Sequence, residues 1–245
     1  MQQAECLYRD GKLAEAIGNL QTYLRDHPSE KKARNFLFEL LCFAGEFERA
    51  RKQLAILAEG SKESQVGATY YLAALAGETE RQSYYLNLTA AESPPVAGEL
   101  LRGTVDGRRF EGIADLDARL GQSLEFLASG SYHRLPFRHL KRLELTQPTR
   151  VRDLYWLPAN AETTAELGSQ PLESILIPVL YPQTYLFDDD LTRLGRTTDF
   201  AQAEDGSEIP CGLRIWVIGG EEVPILSVRN LEFDAAGESG SPNNG

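Results

Sequence analysis

Cysteine, histidine and long apolar runs are all scarce in this 245-residue sequence, and each scarcity excludes something. The three cysteines, Cys6, Cys42 and Cys211, are odd in number and far apart, which fits neither a disulfide framework nor a zinc spacing. Buried, reduced thiols are expected. No apolar run approaches the roughly 18 residues that span a bilayer. The opening MQQAECLYRDGK has neither a basic n-region nor an apolar h-region, so no signal peptide and a cytoplasmic location are expected. No segment fits G-x-G-x-x-G, Walker A, H-E-x-x-H or G-x-S-x-G. Accordingly no catalytic, cofactor-binding or metal-binding residue is assigned.

What is present begins with charge. The formal net charge is −11, unevenly spread: residues 1–91 hold 12 acids and 11 bases, residues 92–245 hold 24 acids and 14 bases. A nucleic-acid binder presents a basic face and a high pI, so that class is excluded.

A repeat supplies the clearest organisation. Gly11-Lys12-Leu13-Ala14-Glu15-Ala16 matches Gly45-Glu46-Phe47-Glu48-Arg49-Ala50 at an offset of 34, and Leu20 matches Leu54. The pattern reads as two tetratricopeptide-like helical hairpins. Each glycine sits in the turn between helices A and B, where a positive φ is tolerated. Ala16 and Ala50 are small where the two helices touch, and His27-Pro28 ends the first unit. In the second A helix, Ala33, Phe36, Leu37, Leu40, Leu41 and Ala44 recur at helical spacing. A third, degraded pair is expected: a helix from Val66 to Ala76 ended by Gly77, then a capping helix over Glu78 to Ala91.

Ser93-Pro94-Pro95 reads as a linker, after which the period becomes strand-like. Leu100–Val105, Asp106-Gly107 and Arg108–Ile113 form a hairpin with a two-residue turn. One helix follows, capped by Asp115 or Asp117, with Leu120, Leu124 and Leu127 on its face and Gly130 after its end. Further strands are expected over 132–137, 140–145, 151–157, 174–180, 213–218 and 224–228, with Gly219-Gly220-Glu221-Glu222 turning the last two. The fold class is therefore α+β: an N-terminal tetratricopeptide-like α-α superhelix (1–92), then an α+β domain with a mainly antiparallel sheet (93–234), and a disordered tail (235–245).

Several clusters carry two readings each. His133 and His139 could serve a metal or acid–base chemistry, or be ordinary surface histidines. Asp115 and Asp117 could be a carboxylate pair or helix caps. Asp188-Asp189-Asp190 lacks the spacing of a calcium loop and reads as a solvated loop. Arg134, Arg138, Lys141, Arg142, Arg150 and Arg152 are either structural ion-pair partners or a patch for an acidic partner. The run RDLYWLP, Arg152 to Pro158, is a core strand stopped by proline or an interface anchor.

Thr104-Val105-Asp106-Gly107, the Ile113-Ala114-Asp115 and Arg119-Leu120-Gly121 segments, GSYHRLPF (130–137), RDLYWLP (152–158) and GRTTDF (195–200) together resemble the ImpE/TagJ family. These are accessory proteins of type VI secretion systems, and the resemblance covers about residues 3–233. It implies a non-enzymatic adaptor that engages a short helix of a sheath subunit and links to the sheath-recycling ATPase. The family usually carries another helical stretch before the T-x-D-G hairpin; here only Glu78 to Glu99 fills that interval. The reading is a cytoplasmic adaptor whose repeats present a groove to a partner helix, with Arg9, Arg34 and Phe38 as candidate groove residues. The rivals are a repeat adaptor unrelated to secretion, a small enzyme around His133, His139 and Asp115, and a structural role in a homo-oligomer.

Overall fold

The computed structural model describes residues 1–88, 98, 100–203 and 206–234. The Ser93-Pro94-Pro95 linker and the 235–245 tail lie outside the described residues. The first layer is helical: α1 (Gln2–Arg9), α2 (Leu13–Asp26), α3 (Lys31–Phe43), α4 (Phe47–Ala58) and α5 (Lys62–Asn87). The repeat reading holds for α1–α2 and α3–α4. Gly11 and Gly45 take left-handed φ values of 79° and 70° in the two turns, and Ala16, Leu20, Ala50 and Leu54 are buried between the helices.

The third pair is different. Gly77 does not end a helix; α5 runs straight through it for 26 residues. Its missing side chain is needed for another reason. A Cβ at Gly77 would stand 3.0 Å from the backbone of Ser131, so the glycine lets a β-turn lie directly on the helix.

The second half is mainly antiparallel sheet. Its strands are β1 (Arg102–Val105), β2 (Arg108–Glu111), β3 (Ile113–Asp115), β4 (Ser123–Ala128), β5 (Ser131–Pro136), β6 (Leu140–Leu145), β7 (Trp156–Thr163) and β8 (Pro171–Pro178). After the one-turn helix α6 (Asp190–Arg193) come β9 (Thr198–Gln202), β10 (Glu208–Gly212), β11 (Ile215–Ile218), β12 (Glu221–Pro224) and β13 (Asn230–Phe233). Eight strands form one sheet in the order β2-β1-β13-β6-β7-β8-β4-β5; β12-β11-β3 and β10-β9 form two small ones. The Asp106-Gly107 hairpin stands as the sequence reads, pairing Val105 with Arg108; the second hairpin turns at Gly219-Gly220 alone, with Glu221 and Glu222 already in β12 and Ile218 paired with Glu221.

Four expectations fail here. The helix over Leu120 to Leu127 is strand β4, buried on both faces, so its apolar run lacks the alternation that marks a strand. Asp115 and Asp117 do not cap a helix. Their carboxylates accept from the Asp117 and Arg119 backbone N–H groups, each 2.9 Å away, closing tight turns instead. Pro158 does not stop a strand either: Val151–Leu154 is a 3-10 turn, and β7 starts after it and continues through Pro158 to Thr163. The 224–228 segment is likewise displaced, its strand ending at Pro224.

Helices and sheet share one apolar core. Leu13, Leu20, Phe38, Leu41 and Leu75 from the helices belong to the same buried cluster as Leu127, Leu143, Trp156 and Ile177 from the sheet. The segment between β8 and β9 runs along the turns of the two hairpins. Leu191 abuts Gly11, and Tyr185 abuts Gly45 while meeting Phe47 edge-on at 5.8 Å. The Asp190 carboxylate accepts from Ala14 N–H at 3.3 Å, and the Arg196 guanidinium donates to the carbonyls of Tyr8 and Arg9 at the end of α1.

Gly45→Ala is expected to cost about 2 kcal/mol or more, combining a left-handed backbone with overlap on the Tyr185 ring. In a Tyr185→Gly background, which removes the Cβ as well as the ring, the cost should fall to about 1 kcal/mol, the backbone part alone. Urea unfolding of the four-member cycle measures both.

Candidate functional site

The face that α1, α3 and α5 would offer a ligand is covered by the chain itself. Arg152 pairs with Glu39 of α3 at 2.9 Å and stacks over the Tyr71 ring of α5 at 4.8 Å. Tyr155 meets Phe43 edge-on at 5.1 Å, and Trp156 lies 6.4 Å from Phe38. The RDLYWLP run is thus an anchor, but its target is the chain's own second repeat. At the N-terminal end Arg196 lies over the Tyr8 ring at 5.1 Å.

Beneath this contact lies a buried chain of charges. Arg81 of α5 donates to Glu78 at 3.1 Å, to both carboxylate oxygens of Glu125 on β4 at 3.2 and 2.9 Å, and to the Leu180 carbonyl at 3.0 Å. Arg214, before β11, reaches Asp115 on β3 at 2.6 Å. Its other arm stands 3.2 Å from Glu125, an ion contact without hydrogen-bond geometry. All five side chains are 0–1% exposed. Trp156 Nε1–H and the Gln82 amide donate to Glu78, and the Tyr132 hydroxyl donates to Glu125. The network therefore ties together α5, the large sheet and the small β12-β11-β3 sheet. Removing one member of such a buried pair costs about 3–5 kcal/mol, because the other charge is left unpaired.

Three carboxylates face two guanidiniums in this network, and its members titrate apart. Burial pushes the Glu125 carboxyl up, but Arg81 and Arg214 on either side overcome it and hold it at about 2. For Asp115 burial prevails over Arg214 and the Asp117 backbone N–H, with the Asp117 carboxylate adding to the rise, and its carboxyl moves from 3.8 to about 6. Burial also drives the hydroxyls of Tyr85 and Tyr132 well above the usual tyrosine range. A small cavity of about 10 Å³, lined by Phe43, Glu78, Arg81, Gln82, Tyr155 and Thr184, has room for about one water molecule.

The candidate residues scatter. Phe38 is fully buried and packs on Trp156 and Tyr71, so it presents nothing to a partner. Arg34 spends two donors inside the helical layer, on Gln53 at 2.7 Å and the Pro28 carbonyl at 2.6 Å. Arg9 is exposed near the end of α1. Cys42 and Cys211 are buried free thiols, but Cys6 is at the surface. His133 stacks on Phe126 at 5.0 Å, His139 sits in a 3-10 turn beside Glu166, and Asp115 is sealed in its ion pair, so no shared cleft joins them. Among the described residues no group of three or more His, Cys, Asp or Glu is placed to hold a metal.

The basic stretch is largely internal wiring. Lys141 pairs with Glu162 at 2.7 Å, Arg142 with Glu144 and Glu232, and Arg134 donates to the carbonyls of Arg119 and Leu120. In the Asp188-Asp189-Asp190 run, Asp189 caps α6 and Asp190 reaches Ala14, so only Asp188 is simply solvated. Sequence reasoning missed Glu78, Arg81, Gln82 and Tyr85. The signal was their i, i+3, i+4, i+7 spacing, which puts four polar or amphipathic side chains on one face of α5.

A pH dependence follows from Asp115. Its carboxyl binds a proton in the folded chain at pH values where the unfolded chain, near 3.8, does not. That contribution is fully present below 3.8 and is lost as pH rises through about 6. Glu125 opposes it only below about 4.5, where its own contribution is lost as pH falls toward 2. Between pH 7 and 5 the wild type should therefore gain Tm relative to Asp115→Asn. A Tm difference that stays flat across that range, measured by thermal denaturation in matched buffers, would show that Asp115 does not titrate there.

Comparison with known proteins agrees with this architecture. The profile of the ImpE protein family matches residues 107–232. The type VI secretion system accessory component TagJ of Pseudomonas aeruginosa is 31% identical over 263 aligned residues, covering 94% of this chain and 91% of the relative. The crystal structure of protein VPA1032 from Vibrio parahaemolyticus shares the fold, with a TM-score of 0.81 at 23% identity over 95% of this chain and 97% of that one. A profile over half of the sequence and a relative aligned along nearly all of it lead to one assignment: the chain belongs to the ImpE family.

Proposed function

We propose that the chain is a non-catalytic adaptor of a type VI secretion system, working in the cytoplasm and engaging a short helix of a sheath subunit. The observation that carries this reading is its kinship with TagJ, itself a type VI secretion system accessory component. The form of the molecule supports a protein partner. The cavity under α5 admits about one water, too little for a metabolite. No described helix is long and apolar enough to cross a membrane.

The inner face of the repeats is occupied by Arg152, Tyr155 and Trp156, so a partner is met on an outer surface. Arg9 is the groove candidate that stays exposed, its guanidinium resting on the Glu5 carbonyl and the Cys6 Sγ of its own helix; Arg34 is committed to Gln53 and Phe38 to the core. Truncating the repeats is no test, because their core is continuous with that of the sheet.

The test is co-purification of the intact chain with each sheath subunit of the same organism. One subunit is expected to be retained, and to be lost when its short helix is deleted. If neither sheath subunit is retained, the adaptor reading fails.

A further inference from the structure

The edge strands of the three sheets are β2 and β5, β12 and β3, and β10 and β9. An unpaired edge invites a strand from another chain, and most of these are blunted or engaged. On β5 the Tyr132 N–H is taken by the Glu80 carboxylate at 2.9 Å, and Pro136 has no N–H to offer. β12 carries Glu221 and Glu222 and ends in Pro224. On β3 the Asp115 N–H reaches the Gly121 carbonyl at 2.8 Å, and the Gln122 amide donates to the Ile113 carbonyl. On β10 the Gly212 N–H and carbonyl are bonded to Thr184 and Tyr181. β2 turns the backbone of two charged residues outward, Arg109 and Glu111.

β9 differs. The Leu213 N–H on the Thr197 carbonyl and the Ala203 N–H on the Ser207 carbonyl set the phase of its pairing with β10. Asp199 and Ala201 exchange backbone bonds with β10, while Thr198, Phe200 and Gln202 turn theirs outward. Pro210, Cys211 and Gly212 are buried, whereas Asp199, Phe200 and Gln202 are exposed, so β9 is the outer strand of the ribbon. Phe200 leaves 46% of its surface in solvent. One guard is present: the Asp199 carboxylate accepts from the Phe200 N–H at 2.8 Å.

We propose that β9 pairs antiparallel with β9 of a second copy about a two-fold axis at Phe200, joining two ribbons into one four-stranded sheet. What identifies the occupant is the symmetry of the strand itself. Its outward residues are spaced evenly about Phe200, so a second copy sets Phe200 against Phe200 and Thr198 against Gln202, each outward N–H facing a carbonyl. Asp199, the sole charge of the strand, then stands opposite Ala201 and not opposite its own copy, so no like charges face each other across the seam. The two Phe200 rings fall on one face as a cross-strand aromatic pair. The Asp199 bond to Phe200 is exchanged for the carbonyl of the second copy, which keeps the association reversible. A two-stranded ribbon is marginal by itself, and four strands are not. The inference stands apart from the adaptor reading.

The experiment is sedimentation equilibrium of the intact chain from about 1 to 300 μM, a range suited to a small interface, with wild type, Phe200→Pro, Phe200→Lys and Glu111→Pro. Phe200→Pro removes the central outward donor and spares the bonds to β10. Phe200→Lys keeps the backbone and sets two like charges face to face, so it decides the matter if the proline variant melts early. Glu111→Pro makes the same change on the edge of β2. The wild type is expected to dimerise, both Phe200 variants to weaken dimerisation at least about tenfold, and Glu111→Pro to leave it unchanged. A wild type that stays monomeric throughout overturns the proposal, as does a dimer that persists in both Phe200 variants. Equal weakening by Glu111→Pro also overturns it. A monomer that captures a sheath subunit, and loses it in Phe200→Pro, would assign the edge to a strand of another protein, against the proposal.

Discussion

Arg81 is the point through which helices and sheet are joined. Its guanidinium, wholly removed from water, is held by Glu78 one turn away on α5 and by both oxygens of Glu125 on β4. A buried charge is tolerable only when its partners surround it, and here each partner belongs to a different part of the fold. Glu125 passes the connection to Arg214 and so to Asp115 on the small sheet. The apolar core supplies the bulk of the driving force, but such a core accepts many alignments of a helix on a sheet. The ion chain accepts very few, and so fixes where α5 lies.

That placement decides the rest. With α5 pinned along the sheet, Gly77 must accommodate the Ser131 backbone, and the inner face of the repeats closes over Arg152, Tyr155 and Trp156. The two turn glycines come to rest against Leu191 and Tyr185, so the repeat period is matched by side chains of one segment of the second half. A groove that would serve as a peptide site in an isolated repeat array becomes an internal interface.

The local features were legible and the long-range ones were not. Gly11 and Gly45 with Ala16 and Ala50 give away both hairpins, since turn chemistry and helix contact act within a few residues. Asp106-Gly107 and Gly219-Gly220 give away their β-turns for the same reason. β4 was misread because a strand covered on both sides has no alternation, and its leucines happen to fall at helical spacing. Gly77 was misread as a stop because the contact it serves, with Ser131, lies 54 positions away in the chain. Likewise Glu39 with Arg152, and Arg81 with Glu125, look like ordinary surface charges until the fold brings them together. The resemblance of the second-half motifs to the ImpE family supplied what periodicity could not, and the family assignment bears it out.

The central claim, that helical layer and sheet are one cooperative body locked through Arg81, is most directly tested by thermal unfolding followed with two probes. Far-UV circular dichroism at a helix wavelength reports mainly α1–α5, and tryptophan fluorescence reports Trp156 and Trp216 in the sheets. The account predicts coincident transitions with a single Tm. Helical signal that melts separately from the tryptophan signal in the wild-type chain would contradict it.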